Sequence, residues 1–338
     1  MKIHILCDSP KQMTGFSIVG KNLAHNLRML GHEISMTGFQ TTAGDNENYS
    51  GIKIMPLHVQ YIDEIGQYIH NVQKSNSDIC INIFNADDAQ QNMFAKVVNP
   101  TCWYIPVEGK DISEIMIRDL NEVSKTGKII SQCNWGKNEM LKSGVESTTI
   151  YHGYNPQIFK KIDLSKNIII NEKINILRYK SGKWDEKLEE IRFLNDELDG
   201  KFIFGFVGAN HGIRKRIERL LTAYSLFLKE NKERKNETLL VLKTMPISIT
   251  SPANLIKICA KLEISSNVVF LYGENNILSD KAMNIIYNCF DVNVSASSSE
   301  GFGIPTLESM ACGIPQIGPD CSSFIELIKD HENCNNDR

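Results

Sequence analysis

The chain of 338 residues lacks several patterns that mark common classes of protein. It contains no run of about 18 apolar residues, so no membrane-spanning helix is expected. Its nine cysteines include no Cys-x-x-Cys pair, and no group of His, Cys and Asp has the spacing of metal ligands. Lysine and arginine (37 together) are fewer than aspartate and glutamate (40), and the net charge of −3 provides no basic field for a nucleic acid partner.

Two nucleotide-binding motifs are also absent. The sequence has no Gly-x-x-x-x-Gly-Lys-Ser/Thr, which excludes a P-loop, and no Gly-x-Gly-x-x-Gly follows the first predicted strand. The apolar stretch at residues 1–6 is too short for a signal peptide and is typical of a first strand. Because the cysteines are odd in number and mostly lie in apolar runs, we expect reduced, buried thiols and a cytoplasmic protein.

What the sequence does contain is an alternation of strand and helix patterns in two series. In the first series, strands are predicted over residues 2–7, 33–37, 78–84, 101–107, 128–131 and 147–151, and helices over 18–30 and 135–143. In the second, strands are predicted over 202–207, 239–243, 268–272 and 292–295, and helices over 213–230, 252–262 and 279–288. Such an alternation is typical of doubly wound α/β domains.

The segment between the two series differs in composition. Residues 160–200 are rich in Lys, Asp, Glu and Asn, and we interpret them as a linker with an insertion, helical from about Asp185 to Leu198. The sequence therefore predicts a Rossmann-like domain over residues 1–155, a linker or insertion over 156–200 and a second Rossmann-like domain over 201–338. Since such sheets bind ligands beyond the carboxyl ends of their strands, the site is expected in a cleft between the domains.

The most informative stretch runs from Glu300 to Glu308 and reads Glu-Gly-Phe-Gly-Ile-Pro-Thr-Leu-Glu. A strand pattern precedes it, and Pro305 favours the first turn of a helix. The backbone N–H groups of such a glycine-rich turn, together with the positive end of the helix dipole, suit a phosphate. A carboxylate repels phosphate but accepts hydrogen bonds from hydroxyls. The pair of glutamates therefore favours a nucleotide-sugar ligand; the alternative is a plain turn whose Glu only favours the helix dipole.

The same residues, EGFGIPTLESMACGIPQI, resemble the signature of retaining GT-B glycosyltransferases of the family 4 type. The resemblance implies an α/β, GT-B fold in which two Rossmann-like domains face each other across a cleft. It also implies that Glu300 lies at the donor sugar and Glu308 at the nucleotide ribose. The loop amides would face the sugar and diphosphate of the donor: those of Gly301, Phe302, Gly303 and Ile304.

A basic turn, Arg214-Lys215-Arg216, precedes the first predicted helix of the second domain. Three cations at a helix N-terminus oppose its dipole unless an anion binds there. The resemblance implies that Lys215 holds the donor diphosphate, whereas the position of the family's arginine falls on Ala209. Arg214 could supply the missing charge and Asn210 a polar contact. The alternative is a solvated basic turn.

Two candidates lie at strand ends of the first domain. Gly15 follows the first strand and would let the backbone approach the donor diphosphate, as the family's glycines do; otherwise it is only a loop glycine. Glu108 follows the strand over 101–107 and could act as an acid or base if burial raised its pKa; the alternative is a charge at a helix N-terminus. His152-Gly153 resembles the family's interdomain segment, and we interpret His152 as a structural residue.

Taken with the resemblance, these residues predict an enzyme: a retaining, metal-independent hexosyltransferase that uses a UDP- or GDP-linked sugar and needs no cofactor. The catalytic candidates are Glu300, Lys215 and Glu108. The acceptor would be a glycan, a lipid or a protein, and a lipid would imply peripheral membrane contact. The alternatives are a GT-B-fold nucleotide-sugar epimerase and a non-catalytic nucleotide-sugar binder. Because family members usually continue further, we also expect a shortened C-terminal end.

Overall fold

The computed structural model describes residues 1–10, 12, 14–39, 48–57, 64–84, 101–165, 170–198, 200–210, 213–248, 250–273 and 278–328. The chain divides into two compact units. The first comprises Met1–His152 together with Glu300–Phe302, and the second comprises Gly153–Ser299 and Gly303–Arg338. Each unit is built on a mainly parallel sheet, which confirms the predicted α/β class. The expectation of a shortened C-terminal end rests on residues 329–338, which lie outside the described residues.

The sheet of the first unit has the strand order β3-β4-β2-β1-β5-β6-β7-β8. Its strands are β1 (Lys2–Asp8), β2 (Glu33–Phe39), β3 (Asn48–Tyr49), β4 (Ile52–Pro56), β5 (Ile79–Asn82), β6 (Thr101–Ile105), β7 (Gly127–Ser131) and β8 (Thr148–Thr149). All neighbours pair in parallel except β3 and β4. The carboxyl ends of the parallel strands therefore share one edge, where a doubly wound sheet binds its ligands.

Four helices of the first unit lie among its described residues: α1 (Gly15–Met29), α2 (Glu64–Ser75), α3 (Glu114–Thr126) and α4 (Asn134–Lys142). The α1 helix begins where Thr14 accepts a hydrogen bond from the Ser17 N–H at 3.1 Å. Ser113 caps α3 in the same way by accepting from the Met116 N–H. Strand β1 alternates between two apolar clusters, since Ile5 packs on one face of the sheet and Leu6 on the other.

The second sheet has the order β10-β9-β13-β12-β11-β14-β15. Its strands are β9 (Lys173–Lys180), β10 (Lys183–Glu190), β11 (Phe202–Val207), β12 (Thr238–Lys243), β13 (Val268–Tyr272), β14 (Val292–Val294) and β15 (Gln316–Ile317). The strands from β13 to β15 pair in parallel, whereas β9 pairs antiparallel with both β13 and β10. Strand β12 is buried on both faces, which explains its continuous apolar run.

The described helices of the second unit are α5 (Leu194–Glu197), α6 (Ile217–Glu230), α7 (Leu255–Lys261), α8 (Asp280–Asn288), α9 (Ile304–Ala311) and α10 (Phe324–Leu327). Helix α6 starts four residues later than the sequence predicted. Residues 213–215 form a turn, and Arg216 caps the helix in a left-handed conformation with φ of +47°. The basic turn is thus a separate element before the helix.

One sequence prediction is wrong. The helix expected from about Asp185 to Leu198 is a strand as far as Glu190, and only the short segment after it is helical. Strands β9 and β10 form a hairpin that extends the second sheet, so this part of the predicted linker belongs to the second unit. Strand β10 is an edge strand, and most of its charged residues are exposed to solvent, which hides the β pattern in the sequence.

Among the described residues, eight cysteines are free and six of these are buried. No helix within the described ranges is long and apolar enough to cross a membrane.

The buried His4 makes the stability of the first unit sensitive to acid. Its ring nitrogens hydrogen-bond the hydroxyls of Ser35 and Thr37, each at 2.8 Å, and burial lowers its pKa from 6.5 to about 4. Unfolded chains therefore bind a proton at pH values where the folded chain does not. The contribution of neutral His4 to the free energy of unfolding is therefore lost as the pH falls from 6.5 towards 4. Between pH 7 and pH 5 this loss is about 2 kcal/mol.

Urea unfolding followed by tryptophan fluorescence at these two pH values tests this expectation. His4→Gln should lose less stability on acidification than the parent chain does. The exposed His25 provides the control, since His25→Gln should keep the parent's pH dependence. An equal pH dependence in His4→Gln and the parent would contradict it.

Candidate functional site

The predicted strand–loop–helix signature is present as the segment that connects β14 to α9, two elements of the second unit. Gly303 caps α9 with a φ of +94°, a left-handed conformation, and no side chain caps the helix. The Gly303 carbonyl accepts from the Thr306 and Leu307 N–H groups at 2.9 and 3.1 Å. The amide of Ile304 precedes the first intrahelical bond, and Pro305 has no N–H to satisfy. This helix start can therefore donate backbone hydrogen bonds to an anion.

Glu308 lies one turn into α9 and is 9% exposed. Its Oε2 accepts a hydrogen bond from the Tyr287 hydroxyl at 2.8 Å. Tyr287 belongs to α8 and is fully buried, and burial together with the Glu308 carboxylate raises its pKa well above 10. Tyr287 is thus a neutral donor at every physiological pH. The Tyr287 hydroxyl thus supplies a hydrogen bond that helps to stabilise a nearly buried carboxylate.

The basic turn is tied to the loop that follows β14. The Arg214 guanidinium donates to the Ser299 carbonyl at 3.1 Å, and the Ser298 N–H donates to the Arg214 carbonyl at 2.9 Å. Strands β11 and β14 are neighbours in the sheet, so the loops after them share its carboxyl edge. The sheet therefore brings Arg214 and Lys215 next to the residues that lead into the signature.

Arg214 and Asn210 both have local structural partners. A guanidinium has five donors, so the bond to Ser299 does not by itself prevent Arg214 from contacting an anion. The Asn210 side chain is nearly buried, and its Nδ2 lies 3.2 Å from the carbonyl oxygens of Met245 and Ala253. Its amide group thus holds the loop after β11 to the loop after β12. A ligand contact by Asn210 would have to use its side-chain carbonyl or its backbone.

The start of the signature, Glu300–Phe302, is part of the first unit. Glu300 is 6% exposed. A Cβ on Gly301 would lie 2.3 Å from Cβ of Pro106, so the position accepts only glycine. The Cys133 thiol lies 3.4 Å from the Gly301 carbonyl and can donate to it. Pro106 follows β6 and Cys133 follows β7, which places this segment at the carboxyl edge of the first sheet.

Phe302 and His152 form an aromatic contact in the first unit. Their ring centroids are 4.7 Å apart at an interplanar angle of 85°. His152 Nδ1 hydrogen-bonds the Tyr104 hydroxyl at 2.9 Å, and burial lowers the pKa of His152 to about 4. A neutral ring held by Tyr104 and Phe302 supports the interpretation of His152 as a structural residue.

Gly15 and Glu108 both lie at the carboxyl edge of the first sheet. Gly15 is the first residue of α1 after β1, and a Cβ added to it would meet no atom within 4 Å. Glu108 is partly buried and lies three residues after β6. Helix α3 begins at Glu114, so Glu108 is not a first-turn charge, and that alternative reading is wrong.

Two further charged residues lie at the carboxyl edges of the two sheets, and neither was predicted from the sequence as a site residue. Asp8 ends β1, where it accepts a hydrogen bond from the Thr14 hydroxyl, and burial raises its pKa. Lys243 ends β12 beside Val207 of β11, and burial lowers its pKa to about 8. The only sequence signal for either is a charge at the end of an apolar strand. Within the described part of the chain, no group of three or more His, Cys, Asp or Glu could hold a metal ion.

The second half of the chain is similar to known glycosyltransferases. Residues 188–335 match the family described as Glycosyl transferases group 1. A serotype-specific mannosyltransferase, WbdA of Escherichia coli, is 30% identical over 146 residues. The match covers 43% of this chain, which spans only 17% of the length of WbdA.

Two solved structures resemble nearly the whole chain. Sucrose-phosphate synthase of Thermosynechococcus elongatus has a TM-score of 0.68 at 15% identity and covers 95% of this chain and 82% of its own. WaaG, a glycosyltransferase involved in lipopolysaccharide biosynthesis, has a TM-score of 0.67 at 14% identity and covers 98% and 84%. These likenesses confirm the GT-B fold. The match to the family described as Glycosyl transferases group 1 covers less than half of the chain and agrees with the resemblance found in the sequence.

The left-handed cap of α9 provides a test of the turn. Gly303→Ala should lower the free energy of unfolding by about 1–2 kcal/mol, because a side chain is strained at this φ. Gly303→Asn should lose less, since asparagine tolerates the left-handed region. Chemical denaturation measures the free energy of unfolding of both variants.

Gly15→Ala is the matched control for Gly303→Ala. Gly15 has open space at its Cβ and sits in a helix, where alanine is favoured by roughly 1 kcal/mol. Its replacement should leave stability unchanged or raised. If the two substitutions lowered the free energy of unfolding equally, the left-handed conformation of Gly303 would be contradicted.

Proposed function

We propose that this chain is a retaining, metal-independent glycosyltransferase that moves a hexose-type sugar from a UDP- or GDP-linked donor to a glycan, lipid or protein acceptor. The observation that carries the proposal is the turn from β14 into α9. Its helix start, which no side chain caps, suits a phosphate, and the buried carboxylate of Glu308 one turn later suits hydroxyls. A nucleotide-sugar presents both groups within one molecule.

The leaving diphosphate would bind at two groups of donors. The amides of residues 301–304 would donate hydrogen bonds, and Lys215 would supply a positive charge, with Arg214 as a second cation. Negative charge develops on the diphosphate as the bond to the sugar breaks, so donors fixed beforehand lower the barrier. The bonds between Arg214 and residues 298–299 support this assignment, because they keep the basic turn near the signature. In this account the chain needs neither a metal nor a cofactor.

The sugar would be held by carboxylates. Glu300 would accept hydrogen bonds from its hydroxyls and favour the positive charge that develops on the ring in an oxocarbenium-like transition state. Glu108 is a candidate acid or base near the end of β6. Gly15 would permit close approach of the diphosphate, and Asn210 would contribute through its backbone or side-chain carbonyl. Retention of the anomeric configuration rests on the resemblance of the signature to family 4 enzymes.

The named relatives suggest donors and acceptors to test. WbdA is named a mannosyltransferase, which fits a hexose donor. WaaG is a glycosyltransferase involved in lipopolysaccharide biosynthesis, and lipopolysaccharide combines a glycan and a lipid. We therefore propose mannosyl and glucosyl nucleotides as first donors and glycolipids as first acceptors. A lipid-linked acceptor would bring the protein into peripheral contact with a membrane.

Glu308 offers the test of donor binding. Glu308→Gln removes the charge but keeps an acceptor for the Tyr287 hydroxyl, whereas Glu308→Ala leaves that hydroxyl buried without a partner. Both variants should weaken donor binding, because the lost charged hydrogen bond is worth about 1.5–3 kcal/mol, or roughly 10- to 100-fold in Kd. Isothermal titration calorimetry with UDP, GDP and ADP measures the loss.

The exposed Glu230 at the far end of α6 is the control, and Glu230→Ala should bind as the parent does. Unchanged affinity in both Glu308 variants would remove Glu308 from the site.

Lys215 offers the test of leaving-group stabilisation. Lys215→Ala should lower the rate of sugar transfer by about 10²-fold or more, because a preorganised positive charge acts mainly on the transition state. Release of nucleoside diphosphate, measured with EDTA present, reports the rate. Lys229→Ala, at an exposed position on α6, should stay fully active. A fully active Lys215→Ala would reduce the basic turn to a solvated surface, and reversible loss of turnover in EDTA would contradict metal independence.

A further inference from the structure

The hydroxyl of Tyr287 is held more firmly than an isolated hydrogen-bond donor would be. Its ring contacts the rings of Phe159 and Phe290, with centroids 6.2 and 6.3 Å away and interplanar angles of 63° and 88°. The side chain is fully buried in the core between the sheet and its helices. Ring packing therefore fixes where the hydroxyl points, and it points at Oε2 of Glu308 at 2.8 Å.

A second side-chain bond joins the same two helices. The Cys312 thiol of the α9 C-cap lies 3.1 Å from Oδ1 of Asn284 in α8. Asn284 and Tyr287 are three residues apart, and Glu308 and Cys312 are four apart, so each pair lies on one face of its helix. Asn284 Oδ1 also accepts from the Lys160 N–H at 3.0 Å. Helix α9 is thus fixed to α8 at two successive turns, and Glu308 takes part in one of these attachments.

We propose that Tyr287 is a positioning residue that orients the Glu308 carboxylate, and that it thereby sets the preference for ribose over deoxyribose in the nucleoside diphosphate. The inference rests on the proposed function, which gives Glu308 the ribose. A carboxylate offers about four lone-pair sites on two oxygens, and Tyr287 occupies one on Oε2. This bond restricts the directions from which the other sites can accept a hydrogen bond.

We expect the loss of the Tyr287 hydroxyl to change the selectivity between ribose and deoxyribose nucleotides more than the affinity for the nucleotide itself. The terminal torsion of a glutamate is broad, so the Glu308 carboxylate would be less restricted in its orientation without the Tyr287 bond. A fixed, buried acceptor strongly disfavours a ligand that lacks its hydroxyl, because the acceptor is then left unpaired. An acceptor that can turn away loses this discrimination. Replacing Tyr287 by phenylalanine removes one oxygen atom and keeps the ring that contacts Phe159 and Phe290.

The measured quantity is the ratio of Kd for a deoxynucleotide to Kd for the ribonucleotide. UDP, GDP and ADP are titrated first, and the one that binds is compared with its 2′-deoxy and 3′-deoxy forms by calorimetry. Tyr287→Phe should lower the larger of the two ratios about three- to tenfold relative to the parent chain. A role in stability alone would weaken the ribose and deoxyribose forms equally and leave the ratio unchanged.

Tyr224 provides the matched control. It is a nearly buried tyrosine of the same unit, whose hydroxyl lies 3.0 Å from Thr238 Oγ1 and which packs in the apolar cluster on the other face of the sheet. Tyr224→Phe removes a comparable buried hydrogen bond and should leave the ratio at the parent value. A fall of the ratio in both variants would mean that general loosening is responsible and would overturn the inference.

A second variant covers the case in which Tyr287→Phe does not fold. Glu308→Asp keeps the charge but withdraws the carboxylate by one methylene from Tyr287, and it should lower the ratio as well. A parent-like ratio in whichever of the two variants folds would overturn the inference.

The outcomes also separate this inference from the proposed function. If Glu308→Ala abolishes discrimination while Tyr287→Phe keeps it, only the positioning role fails. If Glu308→Ala keeps both affinity and discrimination, the ribose role of Glu308 fails, and the inference fails with it. If none of the three diphosphates binds the parent chain, both are overturned.

Discussion

The burial of a carboxylate is the constraint on which the candidate site depends. Moving Glu308 out of water is costly unless its oxygens are hydrogen-bonded, and the Tyr287 hydroxyl supplies such a bond from the neighbouring helix. The bond can form only if α9 starts in the right place, and Gly303 sets that start through its left-handed conformation. The helix dipole, the loop amides and the carboxylate are therefore positioned by one turn and one helix contact.

The order of strands in the second sheet explains how distant sequence segments meet. Strands β11 and β14 are neighbours although about 90 residues separate them along the chain, as expected for doubly wound connections. Backbone and guanidinium bonds between Arg214 and residues 298–299 then hold the two loops together. A basic turn that would be unfavourable at an isolated helix start is thus placed where an anion could compensate its charge.

Much of this arrangement could be predicted from the sequence, because its signals are local. Apolar runs identified most strands, and the spacing of glycines, Pro305 and two glutamates identified the turn. The hairpin of β9 and β10 was missed because its outer strand is polar and takes its conformation from pairing with β9. The partners of Glu308 and Asn210 were missed because Tyr287, Met245 and Ala253 become neighbours only through packing. Residues whose role depends on a long-range contact leave no pattern in a single sequence.

The proposed site requires the amides at the start of the signature to bind the diphosphate of a nucleotide. Hydrogen–deuterium exchange with and without saturating UDP, GDP or ADP tests this requirement most directly, because it reports on those backbone N–H groups themselves. We expect at least one of these nucleotides to slow exchange in peptides covering residues 298–308 and 209–216, while a peptide from the body of α6, within Ile217–Glu230, exchanges as before. Binding that leaves exchange at residues 298–308 unchanged would contradict this expectation.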